Sequence, residues 1–68
     1  YDQAETLYRD ALALSRGFLP AWRGLGRALQ GQGRFSEARA AYEQALLLNP
    51  TDVATRQLLG TLGPDEAN

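Results

Sequence analysis

Apolar residues recur along this chain at the spacing of helices. Residues 2–15 carry Ala4, Leu7, Tyr8, Ala11, Leu12 and Leu14, close to the i, i+3, i+4, i+7 stripe of an amphipathic helix. Ser15, Arg16 and Gly17 interrupt the stripe. Pro20 predicts a second helix over about 20–31, because at the first helical position its missing N–H leaves nothing unpaired. Trp22, Leu25, Gly26 and Leu29 share one face of it, and Gly31 and Gly33 are expected to end it, since glycine takes the left-handed cap without strain. A third helix is predicted over about 35–48, closed by Asn49 and Pro50. A fourth is predicted over about 53–62, with Asp52 as its N-cap and Gly63 and Pro64 as its stop. No segment alternates with period two, so the predicted class is all-α without strands.

The pattern also repeats. Displaced by 34 residues, Tyr1 falls on Phe35, Ala4 on Ala38, Tyr8 on Tyr42, Ala11 on Ala45, Leu12 on Leu46 and Leu14 on Leu48. Leu25 then falls on Leu59 and Gly26 on Gly60. Apolar and small positions agree while polar ones drift, as a repeated core with a variable surface should behave.

The central copy holds Trp22, Leu25, Gly26, Leu29, Gly33, Phe35, Ala38, Tyr42, Ala45 and Pro50 in order. Their spacing resembles the tetratricopeptide signature, W-x2-L-G-x2-Y, then A-x3-F, then P. The resemblance covers nearly all of residues 1–62. It implies antiparallel helix pairs stacked as a right-handed α-solenoid of about four helices, with a concave inner face. In that frame the chain holds a helix over 2–15, a full repeat over 19–52, the first helix of the next repeat over 53–62 and a loose tail over 63–68. The signature residues Trp22, Leu25, Gly26, Ala38, Tyr42, Ala45 and Pro50 have structural roles. Gly26 lacks a Cβ and lets a partner helix approach, and Ala38 is the small residue expected at that contact. Trp22 and Tyr42 are large enough to wedge between helices, and Pro50 keeps the third helix from running into the fourth. The departures are Leu29 where the family usually has Tyr, Arg16 in the place of the turn Pro, Arg56 in the slot of Trp22 and Gly63 in the slot of Leu29.

Composition narrows the chemistry. Sixty-eight residues make at most one small domain, and so short a chain buries little surface unless stapled or assembled. There is no Cys and no His, so disulfide, thiolate metal site and imidazole base are all missing. No cofactor and no metal are expected. The seven cations are all Arg, a usage resembling that of a GC-rich bacterial genome, and against eight acids they leave a net charge of −1. That balance, with Trp22, Tyr8, Tyr42 and Phe35 expected in the core, argues against nucleic acid as a partner. No apolar run approaches the roughly 20 residues needed to span a bilayer, so no membrane insertion is expected. The start, YDQAETLYRD, lacks the basic and apolar regions of a signal peptide. It lacks Met and enters directly into a helical pattern, which reads as a piece of a longer protein. The compartment is left open between cytoplasm and periplasm, with the cytoplasm favoured.

Catalysis finds no machinery. Ser15, Ser36, Thr6, Thr51, Thr55 and Thr61 have no His or Lys to activate them. Asp2, Glu5, Glu37 and Glu43 are expected on exposed helix flanks, and Asp65 and Glu66 in the tail. Gly24-Leu25-Gly26 and Gly31-Gln32-Gly33 neither follow a strand nor end in Gly-Lys-Ser/Thr, so helix contacts and a cap explain them better than a phosphate loop.

Binding is what remains. In the family the groove is lined mainly by the first helix of each repeat, which here presents Arg23, Arg27 and Gln30 on the second helix and Gln57 and Thr61 on the fourth. Arg23 and Arg27, one helical turn apart, could hold acidic side chains or the C-terminal carboxylate of an extended peptide. The bland alternative is two solvated arginines covering apolar surface with their stems. Some relatives clamp a peptide C-terminus with Lys and Asn, a set this chain lacks. Glu5 and Arg9 pair along the first helix, and the third reverses their order in Arg39 and Glu43. If equivalent helices lie side by side, Glu5 would face Arg39 and Arg9 would face Glu43. The first and fourth helices are expected to carry apolar surface, through which a homo-oligomer could form. Three readings follow: a peptide-binding scaffold, a self-assembling structural segment, and a targeting appendage of an enzyme encoded elsewhere in the parent chain. The groove makes the first the leading one.

Overall fold

The computed structural model describes residues 2–63 as four helices, α1 (Asp2–Leu14), α2 (Leu19–Gly31), α3 (Phe35–Leu48) and α4 (Val53–Gly60). Tyr1, the expected counterpart of Phe35, lies outside the described residues. So do Pro64, the expected helix stop, and the tail with Asp65 and Glu66. The short turns at 15–18, 32–34 and 49–52 fold each helix back on the one before it, and the contacts run α1 on α2, α2 on α3 and α3 on α4. The class is the all-α one that the periodicity predicts, arranged as the stack of helix pairs that the resemblance implies.

The core lies around α2. Leu12, Ala21, Leu25, Leu29, Ala38, Ala41 and Tyr42 form one buried cluster, with Tyr8, Ala11, Trp22, Leu58, Leu59 and Leu62 packed at its edges. Tyr42 is fully buried. Its ring settles the role of Gly26: a Cβ built there would lie 2.3 Å from the ring. The expected occupant of that contact, Ala38, is therefore replaced by Tyr42, one turn further along the same face. Gly24 makes the matching arrangement on the other side, where a Cβ would lie 2.3 Å from the ring of Tyr8. Two glycines of α2 thus receive the tyrosines of its two flanking helices.

Several ends differ from expectation by a residue or two. α1 stops at Leu14, and α2 begins at Leu19 so that Pro20 is its second residue. Gly33 (φ +80°) and Gly63 (φ +76°) take the left-handed conformation, while Gly31 stays within α2. α4 ends at Gly60, where the Thr61 amide is shared between the carbonyls of Gln57 and Leu58 and tightens the last turn. Asp52 occupies the N-cap position but makes no cap hydrogen bond. Phe35, expected in the core, is half exposed, because it opens α3 outside the buried cluster, which the helix joins only at Ala38. Trp22 is half-buried and donates its indole N–H to the Arg16 carbonyl at 2.8 Å, pinning the first turn to α2. The end helices carry uncovered apolar side chains among the described residues, Leu7 and Leu14 on α1 and Val53 on α4.

Candidate functional site

Helical spacing puts Arg23, Arg27 and Gln30 along one side of α2, and Gln57 and Thr61 along α4 and its C-cap. The structure divides these five into two groups. Arg23 is tied inward. Its Nη2 donates to Asp52 Oδ2 at 2.9 Å and its Nε to the Thr55 hydroxyl at 3.3 Å. Thr55 is fully buried in the slot matching Ala21, and its hydroxyl donates to the same Asp52 oxygen. That donation, then Arg23, holds the Asp52 carboxyl below the usual carboxylate range in spite of desolvation. The Thr55 amide also favours the charged carboxylate, without the geometry of a cap bond. Gln30 is committed as well: its amide donates to Thr61 Oγ1 at 2.9 Å and its carbonyl accepts the Tyr42 hydroxyl at 2.8 Å. Thr61 passes its own proton to the Leu58 carbonyl at 2.6 Å.

Arg23, Gln30 and Thr61 therefore brace α2 against α4, and the expected pair of free guanidinium forks is not formed. Arg27 and Gln57 are exposed and make no side-chain hydrogen bond among the described residues. The positive charge of Arg27 is felt at the Tyr42 phenol, where it partly offsets the upward push of burial. Arg27 also borders a cleft of about 390 Å³ between α1 and α2, shared with Ala4, Tyr8, Pro20, Arg23, Gly24 and Ala28. Sequence reading missed the Arg23 brace because Asp52 looked like a cap. The signal was Thr55, a hydroxyl in a core slot, which needs a partner when buried.

A second polar cluster joins α1 to the turn before α3. Glu5 accepts from Arg9 at 2.9 Å, Arg34 at 2.8 Å and Gln32 at 3.0 Å. Arg34 forks onto Glu37 at 2.9 and 2.7 Å, and Arg9 stands 3.9 Å from Glu37. The hydrogen bond from Gln32, then Arg9 and Arg34, lowers the Glu5 pKa, and Arg34 lowers that of Glu37. The expected cross-repeat pairs do not form. Glu5 meets the α2–α3 turn, and Arg39 donates to the Gly63 carbonyl at 3.2 Å. The i, i+4 pair of Glu5 and Arg9 was the legible part of this cluster.

Among the described residues no three His, Cys, Asp or Glu side chains gather to hold a metal, and no helix is long and apolar enough to cross a membrane.

Comparison with known proteins adds to this geometry. The family model for the tetratricopeptide repeat matches residues 1–62. Superkiller protein 3 of Schizosaccharomyces pombe (strain 972 / ATCC 24843) is 32% identical over 65 residues. The match takes in 96% of this chain, which spans only 5% of the length of that relative. No solved structure matches the chain significantly.

Proposed function

The chain belongs to the tetratricopeptide repeat family, whose repeats are protein–protein interaction scaffolds and not catalysts, and on that premise we propose that it binds an acidic segment of a partner protein along the α2–α4 side. Arg27 receives the acid there, either an Asp or Glu side chain or a C-terminal carboxylate. Gln57 supplies a neighbouring amide from α4. The observation that carries this reading is the state of Arg27: exposed, on the rim of a cleft, and in no ion pair among the described residues. A guanidinium in that position presents two parallel donors at the spacing of a carboxylate. Arg23 supports the site by holding α2 to α4 rather than by touching the ligand.

The test is Arg27→Glu, read by fluorescence anisotropy with a labelled acidic peptide. Arg27 is exposed and makes no side-chain hydrogen bond or ion pair among the described residues, so unfolding should be little changed while affinity falls by about tenfold or more, the worth of one charge-assisted carboxylate contact. Unaltered affinity would remove Arg27 from the site and the reading with it.

A further inference from the structure

We infer that the furrow between α1 and α3 holds a partner-protein segment in which acidic and apolar side chains lie close together. α2 forms its floor through Trp22, Leu25 and Leu29. By helical spacing these residues stand roughly opposite to Arg27 on α2, so the furrow is a second face and does not rest on the peptide-binding reading. One wall is α1, with Arg9, Ala13 and Arg16, and the other is α3, with Glu37, Ala40 and Gln44. Floor and walls all belong to this chain. α4 packs on the other side of α2, through Arg23 and Gln30, and lines no part of the furrow. By the 34-residue register, a helix ahead of α1 would use the cleft of Ala4 and Tyr8, as α2 packs on Ala38 and Tyr42. None of these four residues lines the furrow either.

Shape favours a segment over a compact molecule. The furrow has two adjoining lobes, about 270 Å³ at the Arg16 end and about 220 Å³ at the Gln44 end, both bordered by Arg9, Trp22 and Leu25. Each is smaller than the roughly 300 Å³ at which small-molecule pockets begin, and side by side they fit successive side chains of one strand or helix. The walls are low, with Ala13 and Ala40 exposed on them.

Charge selects the segment. Arg16 is exposed and in no ion pair among the described residues. Its backbone carbonyl serves the fold by accepting the Trp22 indole N–H, a task that needs no guanidinium, and the matching residue of the next copy is Pro50. Arg9 bonds Glu5 through Nε, but its Nη2 stops 3.9 Å from Glu37, which Arg34 already holds. That distance is too long for a hydrogen bond. Glu43 stands in the matching place of the next copy, so both cations are peculiar to this furrow. Their uncommitted N–H groups favour carboxylates, each taken by two parallel bonds, while the floor favours apolar neighbours. A net charge of −1 leaves the chain without the basic surface that a nucleic acid requires.

Trp22 is the one tryptophan of the chain, so its emission reports the furrow directly. The probe is a peptide of alternating glutamate and leucine, capped at both ends. It should change the emission saturably, and versions with glutamine for glutamate or serine for leucine should bind about tenfold more weakly or worse. Arg16→Glu keeps the carbonyl that holds Trp22, so the melting temperature should stay while affinity falls about fivefold or more, the worth of one exposed pair and the repulsion that replaces it. Ala40→Glu, an exposed change on the opposite wall, should weaken binding in the same direction. Arg27→Glu should leave the response intact. An emission that does not change, a glutamine or serine version that binds equally, or wall variants that bind like the parent would overturn the proposal. A response lost in Arg27→Glu and kept in Arg16→Glu would also overturn it, and would move the peptide to the α2–α4 side.

Discussion

At the scale of residues, two glycine–tyrosine pairs set the stack. Gly24 and Gly26 sit under Tyr8 and Tyr42, and the lack of a Cβ lets both flanking helices close on α2. The two sites differ in how far the ring can yield. Tyr42 is fully buried and its hydroxyl is bonded to Gln30, whereas Tyr8 is half-buried at the edge of the cluster. Gly26→Ala should therefore cost about 1–3 kcal/mol of overpacking, outweighing the ~1 kcal/mol that alanine returns as a better helix former. Gly24→Ala should cost clearly less, because Tyr8 can swing outward. Chemical denaturation of the two variants checks the order, and equal losses would mean that the rings are equally fixed. The importance of Gly26 was legible from its place in the repeat signature. Its partner was not, because Ala38 and Tyr42 share a helix face and only packing decides which reaches the glycine.

At the scale of elements, α4 is the part that depends on others. Eight residues are too few to hold a helix alone in water, and side chains from α2 supply the braces, Arg23 to Asp52 and Gln30 to Thr61. Arg23→Ala should leave α2 and α3 protected while amide exchange across α4 speeds by about tenfold, the effect of losing a charge-assisted pair and leaving Asp52 and Thr55 with one partner fewer. Uniform acceleration throughout the chain would contradict a local brace. The carboxylates give a second handle. Glu5, Glu37 and Asp52 all have lowered folded pKa values. A lowered folded value means stability that is present above the unfolded carboxylate pKa of about 4 and is lost as pH falls through the folded values. Thermal stability should hold near neutrality and fall in acid. Replacing Glu5 and Asp52 by Gln and Asn should lower stability at neutral pH and flatten that fall. Helix positions were readable from periodicity to within a residue or two. The ion pairs between helices were not, because Glu5 takes its partners from the α2–α3 turn, whose side-chain directions no spacing rule supplies.

At the scale of the molecule, four helices form a stack in which the exposed Arg27 of α2 borders the α1–α2 cleft. The family assignment was legible because Trp22, Gly26, Tyr42 and Pro50 keep the repeat spacing. The candidate site was legible only in part. Arg23 and Arg27 share a face by geometry alone, yet Asp52 and Thr55 decide that one is a brace and the other is open. The most direct measurement is an amide chemical-shift titration of the chain with matched acidic peptides, one set with free C-termini and one amidated. The account predicts saturable shifts centred on Arg27 and Gln57, weaker at the braced Arg23, and absent from the Arg27→Glu variant. Shifts lost on amidation would identify a terminal carboxylate as the ligand, and shifts with both sets would identify acidic side chains. Peptides that leave Arg27 and Gln57 unmoved, or that perturb the Arg27→Glu variant equally, would contradict it.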